Sequence, residues 1–72
     1  MLNQIKKTVR LNGHTTSLAL EKEFWEELNI IANDQSLSLN KLIENIDTIE
    51  RKGSLASSIR VHILNILKAR NQ

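Results

Sequence analysis

The sequence predicts a small, mainly α-helical domain with a short β-ribbon, in the order strand, helix, helix, helix. Three observations predict it. Residues 14–20, "HTTSLAL", alternate with period two; from Glu21 onward apolar residues recur at helical spacing; and two further helical stripes follow after short polar breaks. A chain of 72 residues is one domain at most and buries a small share of its surface, so an oligomer is expected.

Period two places Thr16, Leu18 and Leu20 on one face of the strand and Thr15, Ser17 and Ala19 on the other. No Gly, Pro or loop residue separates this strand from the first helix. There Phe24, Trp25, Leu28, Ile31 and Ala32 share one face, and Glu21, Glu23, Glu26 and Glu27 crowd the first turns, where the helix dipole favours acids. This helix is expected to end near Asn33. After the polar break "NDQSLS", Ser38 can cap a second helix with the stripe Leu39, Leu42, Ile43, Ile46 and Ile49. Arg51 and Lys52 fall in its last turn, and Gly53 stops it. Ser54 can cap a third helix with the stripe Leu55, Ile59, Ile63, Ile66 and Leu67, in which His62 also shares. Val61 and Leu64 lie off that stripe and are expected to touch a second subunit, the alternative being scattered surface apolars.

A lone strand leaves backbone groups unpaired on both edges and needs a partner. Two sources exist. A second copy can pair residues 14–20 with themselves about a two-fold axis. The chain's own "KTVRL" can fold back, because Asn12-Gly13 is a strong hairpin signal. The two are compatible: residues 1–13 form a basic N-terminal arm able to supply an outer hairpin strand, and 14–70 the domain proper.

The charges are segregated. The first twenty residues carry Lys6, Lys7 and Arg10 and no acid, a net +3, whereas residues 21–36 sum to −4; the whole chain is +2. Separate basic and acidic surfaces suit a protein that meets phosphate on one side. There is no Cys, and the two His are far apart in sequence, so no metal ligand set and no cofactor is expected. No Gly-rich phosphate loop and no carboxylate beside a His appear, so no catalytic residue is assigned and the chain is not expected to be an enzyme. No apolar run approaches a membrane span and the start lacks a secretory h-region, which points to a cytoplasmic protein with no membrane partner.

The ordered segments "GHTTSLALEKEFWEELNIIA", "SLNKLIENID" and "LASSIR" resemble short bacterial members of the ribbon-helix-helix DNA-binding family. That resemblance implies an intertwined homodimer whose strands form an antiparallel ribbon in the major groove of double-stranded DNA. It assigns base contact to Thr15, Ser17 and Ala19, with Leu18 and Leu20 in the core. Physics agrees: a two-stranded ribbon fits that groove, hydroxyls bond base edges and a methyl meets thymine. Ala19 departs from the pattern, since long polar readers are common there. The resemblance also implies a phosphate clamp at the start of the second helix, formed by Ser38, Leu39, Asn40 and Lys41. Lys6, Lys7, Arg10 and His14 are expected to reach flanking phosphates.

Phe24, Trp25, Leu28, Leu42 and Ile46 are expected in the core or dimer interface with Leu18, Leu20, Val61 and Leu64. Arg60 is expected to pair with an acid such as Glu44 or Asp47. The functional expectation is a transcriptional regulator, a repressor, associated with the nucleoid. The alternative is a dimeric interaction module, or an antitoxin-like regulator, that binds a protein partner through the third helix. A four-stranded sheet is too broad to enter the groove flat, so either the outer strands bend away or the Asn12-Gly13 turn only tethers the arm.

Overall fold

The structure, a computed structural model, describes residues 4–50 and 53–70. Arg51 and Lys52, expected at the end of the second helix, lie outside the described residues. The elements are β1 (Gln4–Leu11), β2 (His14–Glu21), α1 (Lys22–Asp34), α2 (Leu39–Glu50) and α3 (Leu55–Arg70). The chain is thus mainly α with a short antiparallel β-ribbon and a third C-terminal helix.

Asn12 and Gly13 make the two-residue turn between the strands, with φ of 53° and 83°. Positive φ at both central positions matches the right-handed twist of the flanking strands. This turn fixes the register, which runs from Leu11 opposite His14 to Gln4 opposite Glu21. One face of the hairpin contributes Val9, Leu11, Leu18 and Leu20 to the core.

β2 passes into α1 without a loop because one residue serves both. Glu21 ends the strand in extended geometry (φ −61°, ψ 151°) and is also the N-cap of α1. Its carboxylate caps no amide; it receives Arg60 through Nε and Nη2 at 3.1 and 2.9 Å instead. This corrects the expectation that Arg60 pairs with Glu44 or Asp47. Glu44 is engaged elsewhere, accepting the Asn12 amide at 3.3 Å.

α1 ends where Ser36 turns to φ 58°. Leu37 N–H then bonds Ala32 C=O at 2.8 Å and Ser36 N–H bonds Asn33 C=O at 3.1 Å, the paired bonds of a Schellman end. Ser38 and Ser54 cap the next two helices, their hydroxyls accepting the Lys41 and Ser57 amides at 3.1 Å.

α2 lies against β1 and α3 against β2, so the two helices back the hairpin side by side. Of the expected core, Leu18, Leu20, Trp25, Leu28, Leu42 and Ile46 are buried, and Phe24 is half-buried. Ile49, placed by spacing in the α2 stripe, is 77% exposed, and His62 is only half-buried. Ile49 sits in the last turn of α2, one turn past the buried Ile46. Val61 and Leu64 are 51% and 55% exposed. Among the described residues, no helix is long and apolar enough to cross a membrane.

Candidate nucleic-acid interface

The face of the hairpin opposite the core presents three cross-strand pairs: Lys6 with Ala19, Thr8 with Ser17, and Arg10 with Thr15. Residues directly opposite in an antiparallel pair share a face, so β1 contributes cations and a hydroxyl while β2 contributes two hydroxyls and a methyl. Glu21 closes the far end opposite Gln4, which donates to it at 3.3 Å. Its carboxyl is held below the usual carboxylate range, first by its own backbone amide and then by Arg60. It therefore stays anionic and locked to Arg60.

Thr8 is missing from the set that sequence alone picks out. Its place is recoverable: once the turn is fixed at residues 12 and 13, counting back from it sets Thr8 opposite Ser17. Lys7 takes the other face by the same count. It stands opposite Leu18, and its ammonium lies 4.9 Å from the Trp25 ring centroid. A cation over an indole face gains electrostatic attraction there, which ties Lys7 to the core side. The Lys6, Lys7, Arg10 group expected at phosphates is thus divided between two faces. His14 is exposed beside the turn, in a shallow depression with Asn12, Thr16 and Asp47.

The two edges of the hairpin differ. Along β1 the chain itself satisfies the backbone of Arg10. The Asn40 carboxamide accepts the Arg10 amide at 2.9 Å and donates to the Arg10 carbonyl at 2.7 Å, as another strand would. Trp25 Nε1 donates to the Ile5 carbonyl at 2.9 Å, which ties α1 to β1, although Ile5 pairs with Leu20 and faces β2 in the ladder. Because both Arg10 backbone groups turn to Asn40, Arg10 and Thr15 form a non-hydrogen-bonded pair. The alternation of an antiparallel ladder then turns the N–H and C=O of Thr15, Ser17 and Ala19 away from β1. The sheet among the described residues holds β1 and β2 only, so these groups line an open edge.

The start of α2 lies beside β1 through that Asn40 clamp. Of the expected clamp residues, Ser38 caps the helix, Asn40 spends its side chain on Arg10, and Lys41 lies 3.9 Å from Glu44 on the surface. The first-turn amides of Leu39 and Asn40 have no partner within an α-helix and carry its positive dipole end. Arg10, Lys41 and this helix end form a basic flank along the hairpin.

Comparison with known proteins bears on this arrangement. The sequence model of the ribbon-helix-helix domain matches residues 4–67. No curated protein matches. Among solved structures, an uncharacterized protein from Bordetella pertussis Tohama I superposes with a TM-score of 0.77 at 28% identity. The match covers 94% of this chain and 60% of that one, so this chain spans less than two thirds of the solved protein. With the family match running from β1 almost to the end of α3, the chain belongs to the ribbon-helix-helix domain family.

Proposed function

We propose that this chain is a homodimeric DNA-binding regulator of transcription, a repressor, that sets a four-stranded sheet against the major groove. Members of its family are in general DNA-binding regulators. Two copies pair β2 with β2 along the open edge, giving the strand order β1, β2, β2, β1. Neighbouring strands lie about 4.8 Å apart, so the outermost backbones stand about 14 Å apart, against a groove about 12 Å wide. The inner pair enters the groove, and each β1 sits over a wall.

That geometry divides the labour. Thr15, Ser17 and Ala19 of the inner strands meet base edges, while Lys6 and Arg10 of the outer strands meet the phosphates of the walls. Lys41 and the α2 amides extend the phosphate contact beyond β1. Lys7 has no part in it. The observation that carries the reading is the pairing of Lys6 and Arg10 on β1 with Ala19 and Thr15 on β2, on one solvent-facing surface. With two hydroxyls and a methyl on each inner strand, the sheet makes few bidentate contacts, so the preferred site is short, two-fold symmetric and modest in selectivity.

Selection of bound duplexes from a random pool tests this. Replacing Thr15 and Ser17 by Val changes the recovered motif, whereas replacing Lys6 and Arg10 by Gln weakens all duplexes alike. Recovery of the same motif from the Thr15→Val/Ser17→Val protein as from the parent would refute base reading by β2.

A further inference from the structure

The Asn40 side chain, expected at phosphate, bonds the protein itself. Its carboxamide accepts the Arg10 amide at 2.9 Å and donates to the Arg10 carbonyl at 2.7 Å, across 30 positions of sequence. Two bonds of opposite sense to one residue fix both distance and orientation, whereas a single bond would leave the two backbones free to turn. The backbone amide of the same residue has no partner within α2. Lys41 N–H goes to the Ser38 hydroxyl and Leu42 N–H to the Ser38 carbonyl, so Leu39 and Asn40 carry the orphan amides of the first turn. Asn40 thus joins an anion-facing helix end to the backbone that bears the Arg10 guanidinium. We infer that Asn40 is a positioning residue: it sets the α2 amides and Arg10 at a fixed spacing, so that both hold one phosphate row, Arg10 from the groove side and α2 from outside. The inference rests on the groove-facing sheet proposed above.

The attachment is made twice. Glu44, one turn after Asn40, accepts the Asn12 amide at 3.3 Å. Four residues of helix rise about 6 Å and two residues of strand about 6.8 Å, so Asn40 and Glu44 match Arg10 and Asn12 along the hairpin. This end of the hairpin and the start of α2 therefore move as one body.

Spacing and chemistry agree with the assignment. The carboxamide stands where a neighbouring strand would, which places the start of α2 about 4.8 Å outside β1. In the dimer the outermost strands are about 14 Å apart, so the two α2 starts are about 24 Å apart, astride a groove about 12 Å wide. Asn suits the task because it donates and accepts through one planar group; an ionised Asp has no donor for the Arg10 carbonyl, and Lys has no acceptor for its amide.

The test is a double-mutant cycle on DNA binding, read as the slope of log K against log salt by fluorescence anisotropy. Circular dichroism at the assay temperature follows folding, and sedimentation equilibrium follows the dimer. Arg10→Gln is expected to flatten the slope by about 1.8, two phosphates per dimer at about 0.9 each. Asn40→Ala removes no charge, yet it is expected to flatten the slope by about as much, and Asn40→Ala/Arg10→Gln no further than Arg10→Gln alone. A role in stability only would leave the slope of the folded dimer at the parent's value. If folded, dimeric Asn40→Ala keeps that slope, or if the two losses add, the inference is overturned. If the parent binds no duplex, or Arg10→Gln keeps the parent's slope, the proposed function itself is overturned. Should Asn40→Ala fail to fold, Asn40→Gln decides. It keeps both hydrogen-bonding groups on a stem one methylene longer, which preserves the fold and spoils the spacing, so an undiminished slope overturns the inference.

Discussion

Replacing Lys6 and Arg10 by Gln removes the two β1 cations that project from the solvent-facing side of the hairpin. On the proposed reading each protomer, with Lys41, offers three cations toward phosphate and a dimer about six, which predicts a slope of log K against log salt near −5.4 at about 0.9 per phosphate. The double substitution leaves two, for a slope near −1.8. Between about 50 and 200 mM salt the parent then loses roughly two-thousandfold in affinity and the variant only about twelvefold. Fluorescence anisotropy with a labelled duplex across that range reads both slopes. Lys7→Gln is the decisive companion: although Lys7 adjoins Lys6 in sequence, it lies over Trp25 on the other face, so its slope should match the parent's. If Lys7→Gln lowers the slope as much as either of the other cations does, the hairpin does not face DNA as described.

Two stability predictions accompany it. Asn40→Ala loses both hydrogen bonds to the Arg10 backbone and should cost about 1–2 kcal/mol, a fall in melting temperature of about 4–16 °C for a domain this small; thermal unfolding followed by circular dichroism measures it, and an unchanged midpoint would mean the clamp is idle. Glu21 carries the pH dependence. Its carboxyl pKa is lower in the folded chain, so its contribution is complete above the ordinary carboxylate range and disappears as pH falls through the lowered value. Urea titrations at a series of acidic pH values should show that loss in the parent and a flatter profile in Glu21→Gln.

The helices are legible in the sequence because their cores are periodic: Leu28, Ile31, Leu42, Ile43, Ile46, Ile59 and Ile63 are all nearly inaccessible, and all fall on the stripes that spacing picks out. The hairpin is legible as one of two compatible pairings, since Asn and Gly both tolerate the positive φ the turn needs. What periodicity cannot supply is the chemistry between distant residues. Arg60 meets an acid 39 positions away, and its partner depends on how α3 crosses the end of β2. Ile49 fits the α2 stripe but lies past the last turn that packs, so spacing alone overstates its burial. For the candidate interface, the β2 residues follow from alternation alone, whereas Thr8 and the turning away of Lys7 need the register. Charge composition weighs Lys6 and Lys7 equally; only strand parity separates them.

The Asn40 carboxamide covers the outer border of β1 at Arg10, next to the turn. In the proposed dimer, each outer limit of the sheet is therefore blocked beside its turn. A strand adding there would have to displace a side chain held by two hydrogen bonds, so one carboxamide borrowed from a helix works against edge-to-edge growth over that stretch.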